Sequence, residues 1–147
     1  MKEIPIKKYV RYLFGIMILV FVLNKFYLRP FVLENELPLP FQIVVLSIPN
    51  FIEAIVGTFI LTGILLQLKE QFSKTLGNVK DKYLHLIAVG IAAIYVLSQE
   101  FKFHNLGGNN VYDLYDVIAS IIGLSLTFGL IQAFGFVKES KAEKLNP

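Results

Sequence analysis

From Val117 to Val137 the chain carries no charged residue, matching the ~20 residues that an α-helix needs to cross the hydrocarbon core of a bilayer. Inside lipid every backbone amide and carbonyl must be satisfied within the protein, so a segment of this kind is read as a membrane-spanning helix. The rest of the composition agrees. Of the 147 residues 55% are hydrophobic and 17% charged, and the mean hydropathy is +0.62, too apolar for the surface of one soluble domain. With no cysteine, disulfides, thiolate metal sites and cysteine nucleophiles drop out.

Three more segments approach the same pattern. Phe51 to Leu68 is apolar apart from Glu53, its hydroxyls and Gln67, with Gly57 and Gly63 small enough to admit a neighbouring helix. Tyr83 to Leu97 is uncharged but short, and reaches membrane length only by continuing through Glu100. The first segment, about Tyr9 to Leu28, has Arg11 near its start and Asn24 and Lys25 near its end, which are expected to snorkel toward the interfaces. Basic residues before an apolar run also suit a signal peptide, but no small-residue cleavage motif follows, so the segment is expected to be retained. The expected fold is all-α: a four-transmembrane-helix bundle with helices near 9–28, 49–68, 82–101 and 113–136, and a solvated tail over 138–147.

Orientation follows from the cations, because cytoplasmic connections carry the excess of Lys and Arg. Lys2, Lys7, Lys8 and Arg11, then Lys69, Lys74, Lys80 and Lys82, then Lys138, Lys141 and Lys144 fall on one side; only Lys25, Arg29 and Lys102 fall on the other. Both termini are therefore expected in the cytoplasm, which an even number of crossings requires. This placement accounts for the net charge of +3 as membrane orientation rather than nucleic-acid binding.

Pro38, Pro40 and Pro49 each remove a backbone donor. A helix start at Ser47 or Ile48 with proline in the first turn is favoured, and it places Glu53 in the outer first turn. The alternative is one long helix from Phe41 that passes through Pro49 and carries Glu53 toward the bilayer middle.

On the favoured reading Glu53, Glu100, Asp113 and Asp116 all gather at the extracytoplasmic mouth. Asp113 and Asp116 share a helix face with Ser120, Gly123 and Thr127, and a turn at Gly107-Gly108-Asn109-Asn110 holds Glu100 near the aspartates. Clustered carboxylates share protons, bind a cation or pair with basic groups; the bland reading is that they cap helix ends. On the cytoplasmic side Asp81 is expected as an N-cap with His85 one turn in. His85 reads first as an interfacial histidine that is hydrogen-bonded, and it lies too far from the acidic mouth for a joint site.

Asp81-Lys82-x-x-His85 opening one helix, Glu100 at its far end, and Asp113-x-x-Asp116-x-x-x-Ser120-x-x-Gly123 opening the next resemble the VanZ-like family of small bacterial membrane proteins. The resemblance covers about Asp81 to Thr127. The chain departs from the family where Asn109 and Asn110 stand in place of an arginine, where Ser120 replaces an asparagine, and where His104 is the nearest polar residue to a usual glutamine. What the resemblance implies is a multi-pass protein of the bacterial cytoplasmic (inner) membrane with a cell-envelope role connected to glycopeptide resistance, and not a particular reaction.

Two functions are expected to compete. In one, the outer acidic pocket binds a divalent cation or the headgroup of a membrane lipid, such as a lipid-linked envelope precursor. In the other, a non-enzymatic structural or transport-subunit protein uses the same polar residues only to hold its helices. No phosphate-binding Gly-rich loop, Gly-x-Ser-x-Gly or His-Glu-x-x-His occurs, and the sequence assigns no cofactor.

Overall fold

The computed structural model describes residues 4–100 and 113–138. Four helices cross them: α1 (Lys8–Glu34), α2 (Leu39–Gln71), α3 (Asp81–Glu100) and α4 (Leu114–Phe134). All four are long and apolar enough to span a membrane, so the expected all-α four-helix bundle is what the chain forms. A short turn, Ser73–Leu76, leads from α2 toward α3. α1 is longer than the sequence suggested, because a π-helical turn at Asn24–Leu28 carries it into a last stretch that opens on Arg29-Pro30.

The favoured start of the second helix at Pro49 is not observed. α2 is one helix of 33 residues with Pro49 inside it, about 50 Å long at ~1.5 Å per residue and so longer than the ~30 Å core it crosses. A proline in a helix interior removes the amide that would bond to the carbonyl four residues back, here Val45. That carbonyl is taken up by α1: the Asn24 amide nitrogen donates to Val45 O at 2.9 Å, from a side chain that is fully buried. Asn24 therefore does not snorkel. It supplies the donor that Pro49 lacks, which is how lipid-embedded helices tolerate proline.

α2 is the hub of the bundle. It packs on all three other helices, α3 and α4 also pack on each other, and α1 packs mainly on α2, meeting α4 where the Tyr9 ring stands edge-on to Phe134, with centroids 5.9 Å apart. Gly63 lies beside the Phe136 ring and Gly123 beside Phe51 and Ala54, so α2 and α4 run parallel. Ala54 clusters with Ala92, and Leu66 with Leu84, so α3 runs antiparallel between them. The closest approach is at Gly123, where a Cβ would stand 2.6 Å from Phe51 O and 3.0 Å from Ala54 Cβ. Small residues serve this purpose in membranes, where helices gain little from the hydrophobic effect and must gain from close contact.

A latch joins the chain ends. Lys7 N donates to Phe136 O at 3.0 Å and Lys138 N to Pro5 O at 2.8 Å, forming the bridge between Ile6 and Val137. The Tyr9 hydroxyl donates to Gly135 O at 2.7 Å, and the Lys7 ammonium to Phe134 O. Gly135, at φ +69°, turns the chain out of α4 in a conformation that glycine adopts without strain. Both ends of the described chain thus lie at one end of the bundle, as four crossings require.

Two substitutions test these contacts by reversible unfolding in detergent. Asn24→Ala is expected to destabilise by about 1 kcal/mol, and by clearly less in a Pro49→Ala background, where residue 49 regains an amide for Val45 O. Gly123→Leu is expected to reduce the folded fraction sharply, whereas Gly129→Leu, where a Cβ meets nothing within 4 Å, is expected to be tolerated.

Candidate functional site

The fourth helix presents its polar residues to α2. Along it Ser120 is 1% exposed and Thr127 fully buried, with Gly123 buried between them, so the stripe expected from their spacing does face inward. Asp113 stands just outside the helix with extended backbone, and its Oδ1 accepts from Tyr115 N at 2.8 Å. This is N-capping, and the helical role of Asp113 is thereby accounted for. Asp116, in the first turn, is placed where the positive end of the helix dipole favours an anion, but its Oδ1 is buried with no hydrogen-bond partner.

Two hydroxyls repeat that condition. At this end of α2 and α4, Ser120 Oγ and Ser47 Oγ are both buried without a partner, and their residues are 1% and 7% exposed; Thr62 Oγ1, farther along α2, and Asn24 Oδ1, on α1, share that condition. Other hydroxyls in the same seam are satisfied: Thr58 donates to Ala54 O and Thr127 to Gly123 O, each at 2.8 Å. The close approach of Gly123 to Phe51 fixes the level of the unsatisfied group. Ser47 lies one turn outward of Phe51, Ser120 about one turn outward of Gly123, and Asp116 one turn farther out on the same face. A carboxylate oxygen and two hydroxyls thus line the outer α2/α4 seam, each lacking the partner that a buried polar atom normally finds.

Beside this seam an apolar groove of about 260 Å³ opens between the helices, lined by Ile43, Ser47, Phe51, Tyr115, Ile118 and Ile122 among others. Ser47 lines it, whereas Asp116 and Ser120 lie behind its wall on the neighbouring face of α4. A long apolar chain fits the groove; a headgroup that donates hydrogen bonds fits Asp116 and the serines, since a carboxylate only accepts and a hydroxyl does either.

Glu53 does not join them. It lies between Phe51 and Ala54 in sequence, level with Gly123, and Asp116 is seven residues outward on the parallel helix, about 10 Å along the axis. The residues of α2 that meet α4 include Ser47, Phe51, Ala54 and Thr58; Glu53 shares its stripe instead with Ile60 and Ile64, which are exposed. The expected meeting of four carboxylates at one mouth fails for Glu53 because α2 does not begin at Pro49 but at Leu39, nearly three turns earlier. The side chain of Glu100, together with Asn109 and the Gly107–Asn110 turn, lies outside the described residues, as do His104 and the tail beyond Lys138. Among the described residues no three metal-ligating side chains gather in one place.

The inner end holds the second constellation. His85 is 7% exposed, and its Nδ1 is 3.3 Å from the Gln132 side-chain amide of α4. Where that amide donates, the ring proton sits on Nε2, which is buried without a partner. Asp81 is not the cap of α3 but a residue of its first turn, and it pairs with Lys69 of α2 at 2.7 Å. With the Asp81 side chain half exposed, that pair contributes little to stability; its effect is to tie α3 to α2. Gln132 was not singled out by sequence reasoning, and Ser47 and Asn24 were read there only as a helix cap and an interfacial residue. For Asn24 and Pro49 a signal existed, since each is an isolated polar or helix-breaking residue in an apolar run and the two can answer one another.

Asp113→Ala is expected to destabilise the fold by about 1 kcal/mol and Asp113→Asn by much less, because asparagine caps nearly as well; thermal unfolding in detergent distinguishes them. No family model, curated protein or solved structure matches this chain, so its function is read from the geometry of these residues alone.

Proposed function

We propose that this chain is a VanZ-like multi-pass protein of the bacterial cytoplasmic membrane that binds an envelope lipid at its outer leaflet. The headgroup sits on Asp116, Ser47 and Ser120, and an acyl or prenyl chain lies in the groove between α2 and α4. One observation carries this reading: buried oxygens of Ser47, Asp116 and Ser120 on α2 and α4 have no internal partner, and Ser47 also lines an apolar groove between the same two helices. Leaving such atoms unpaired costs about 1–3 kcal/mol each, a cost that a ligand's donors remove. The chemical class is a lipid whose headgroup is rich in hydrogen-bond donors, hydroxyl or ammonium, as in lipid-linked envelope precursors. The cation excess at the latched end assigns the opposite end, with Asp113 and Asp116, to the outer face. Binding and presentation of the lipid is the activity, and an envelope-resistance phenotype is its consequence.

A structural, non-enzymatic role is the second reading, and it is favoured by the Asn24 amide nitrogen, the Asp113 carboxylate and the Thr58 and Thr127 hydroxyls, each of which finds a partner inside the protein. Ser120→Ala separates the two. A lipid site predicts that the variant is as stable as the parent or about 1 kcal/mol more so, because an unpaired buried hydroxyl is removed, yet retains less phosphatidylethanolamine in native mass spectrometry and loses envelope-stress protection in cells. Asp116→Asn is expected to behave likewise at normal membrane abundance. Lower abundance of both variants, with lipid retention unchanged per folded molecule, would instead establish the structural role.

A further inference from the structure

A second groove lies at the opposite end of the bundle, between α1 and α2, and encloses about 390 Å³. Val10, Phe59 and Phe136 form its floor and are at most 4% exposed, while Ile60 and Ile64 form a rim and are 47% and 49% exposed. Its lining is apolar except for Arg11. Arg11 is itself exposed and makes no ion pair or hydrogen bond with any of the described residues. The neighbouring Lys7 ammonium is committed to Phe134 O, and of the residues that line the groove Arg11 is the cation, free to receive a ligand. It stands in the first turn of α1, at the end of the bundle that also bears Lys69, Lys74, Lys80, Lys82 and Lys138.

We propose that this groove binds one acyl chain of an anionic phospholipid whose phosphate is held by Arg11. Charge complementarity selects the occupant. A planar guanidinium offers paired donors that match phosphate oxygens, and basic pockets between membrane helices attract anionic headgroups. A second helix laid in the groove would cover Arg11 without answering its charge, which membrane interiors disfavour. The groove exists because α1 packs mainly on α2 and because Phe136, brought back by the latch, closes its inner wall against Gly63, with the ring 3.7 Å from where a Cβ would stand. The inference is independent of the outer pocket, since it uses another pair of helices and the opposite headgroup charge.

Native mass spectrometry of the full chain in detergent, titrated with phosphatidylglycerol or with phosphatidylcholine of the same acyl chains, reads this site. The parent protein is expected to prefer phosphatidylglycerol by about tenfold, the scale of one charge-assisted contact. Arg11→Gln is expected to erase the preference, Arg11→Lys to keep part of it, and Ile64→Trp, which narrows the rim, to lower retention of both lipids. An unchanged preference in Arg11→Gln overturns the phosphate contact, and unchanged retention in Ile64→Trp overturns the groove. A dimer that Ile64→Trp dissolves gives the groove to a second copy and overturns the proposal as well. Far-UV circular dichroism checks each variant's fold; should Ile64→Trp fail to fold, Ile60→Trp at the same rim replaces it with the same expected loss.

Discussion

Everything in this bundle is arranged around a helix that contains a proline and yet does not break. α2 is the hub on which the other three helices pack, and its continuity across Pro49 leaves the Val45 carbonyl without its usual amide in a place where water does not supply one. The buried amide of Asn24 meets that need. The same bond fixes where α1 crosses α2, because a single donor must reach a single carbonyl, and the π turn that begins at Asn24 sits at this crossing. A backbone vacancy in one helix thus becomes the anchor of another. With α2 continuous, Ser47 comes one turn above the Gly123 contact and Glu53 falls level with it, so the position of every polar group on α2 depends on this one exchange.

The polar residues then divide by whether the protein itself satisfies them. Asn24, Asp113, Thr58 and Thr127 find donors or acceptors within the chain and act as structure. Oxygens of Ser47, Asp116 and Ser120 do not, although the serines carry the same kind of hydroxyl, and neither do Thr62 Oγ1 and the Asn24 oxygen, which lie away from that end of the α2/α4 seam. Helix geometry explains the contrast only in part: a threonine can turn back to the carbonyl four residues earlier, as Thr58 and Thr127 do, but serine has the same option and neither serine here takes it. Asp116 has no such option, since a carboxylate carries no proton to donate. The outer seam is therefore the place where an external donor has most to offer.

Much of this architecture was legible in the sequence. Uncharged runs of membrane length marked four helices, and the spacing of Ser120, Gly123 and Thr127 marked the inward face of α4, because both signals are local and periodic. Two features were not legible. The helix through Pro49 depends on a partner 25 residues away in sequence, Asn24, so local proline rules favoured a boundary where tertiary contact provides continuity. That misplacement carried Glu53 with it into the acidic mouth. The terminal latch was equally hidden, since it is made mainly of backbone groups of Pro5, Lys7, Phe136 and Lys138, whose side-chain identities carry little of the signal.

The latch also orders the life of the chain. α1 leaves the ribosome before α2, α3 and α4, but one of its fastenings, the bridge from Ile6 to Val137, requires residues that emerge after α4. Until then α1 is held to the bundle by α2, through the Asn24 bond and the apolar contacts around it. Of these four helices the earliest made is accordingly the last to be secured, and the bundle is fully fastened only once the residues just beyond α4 have emerged.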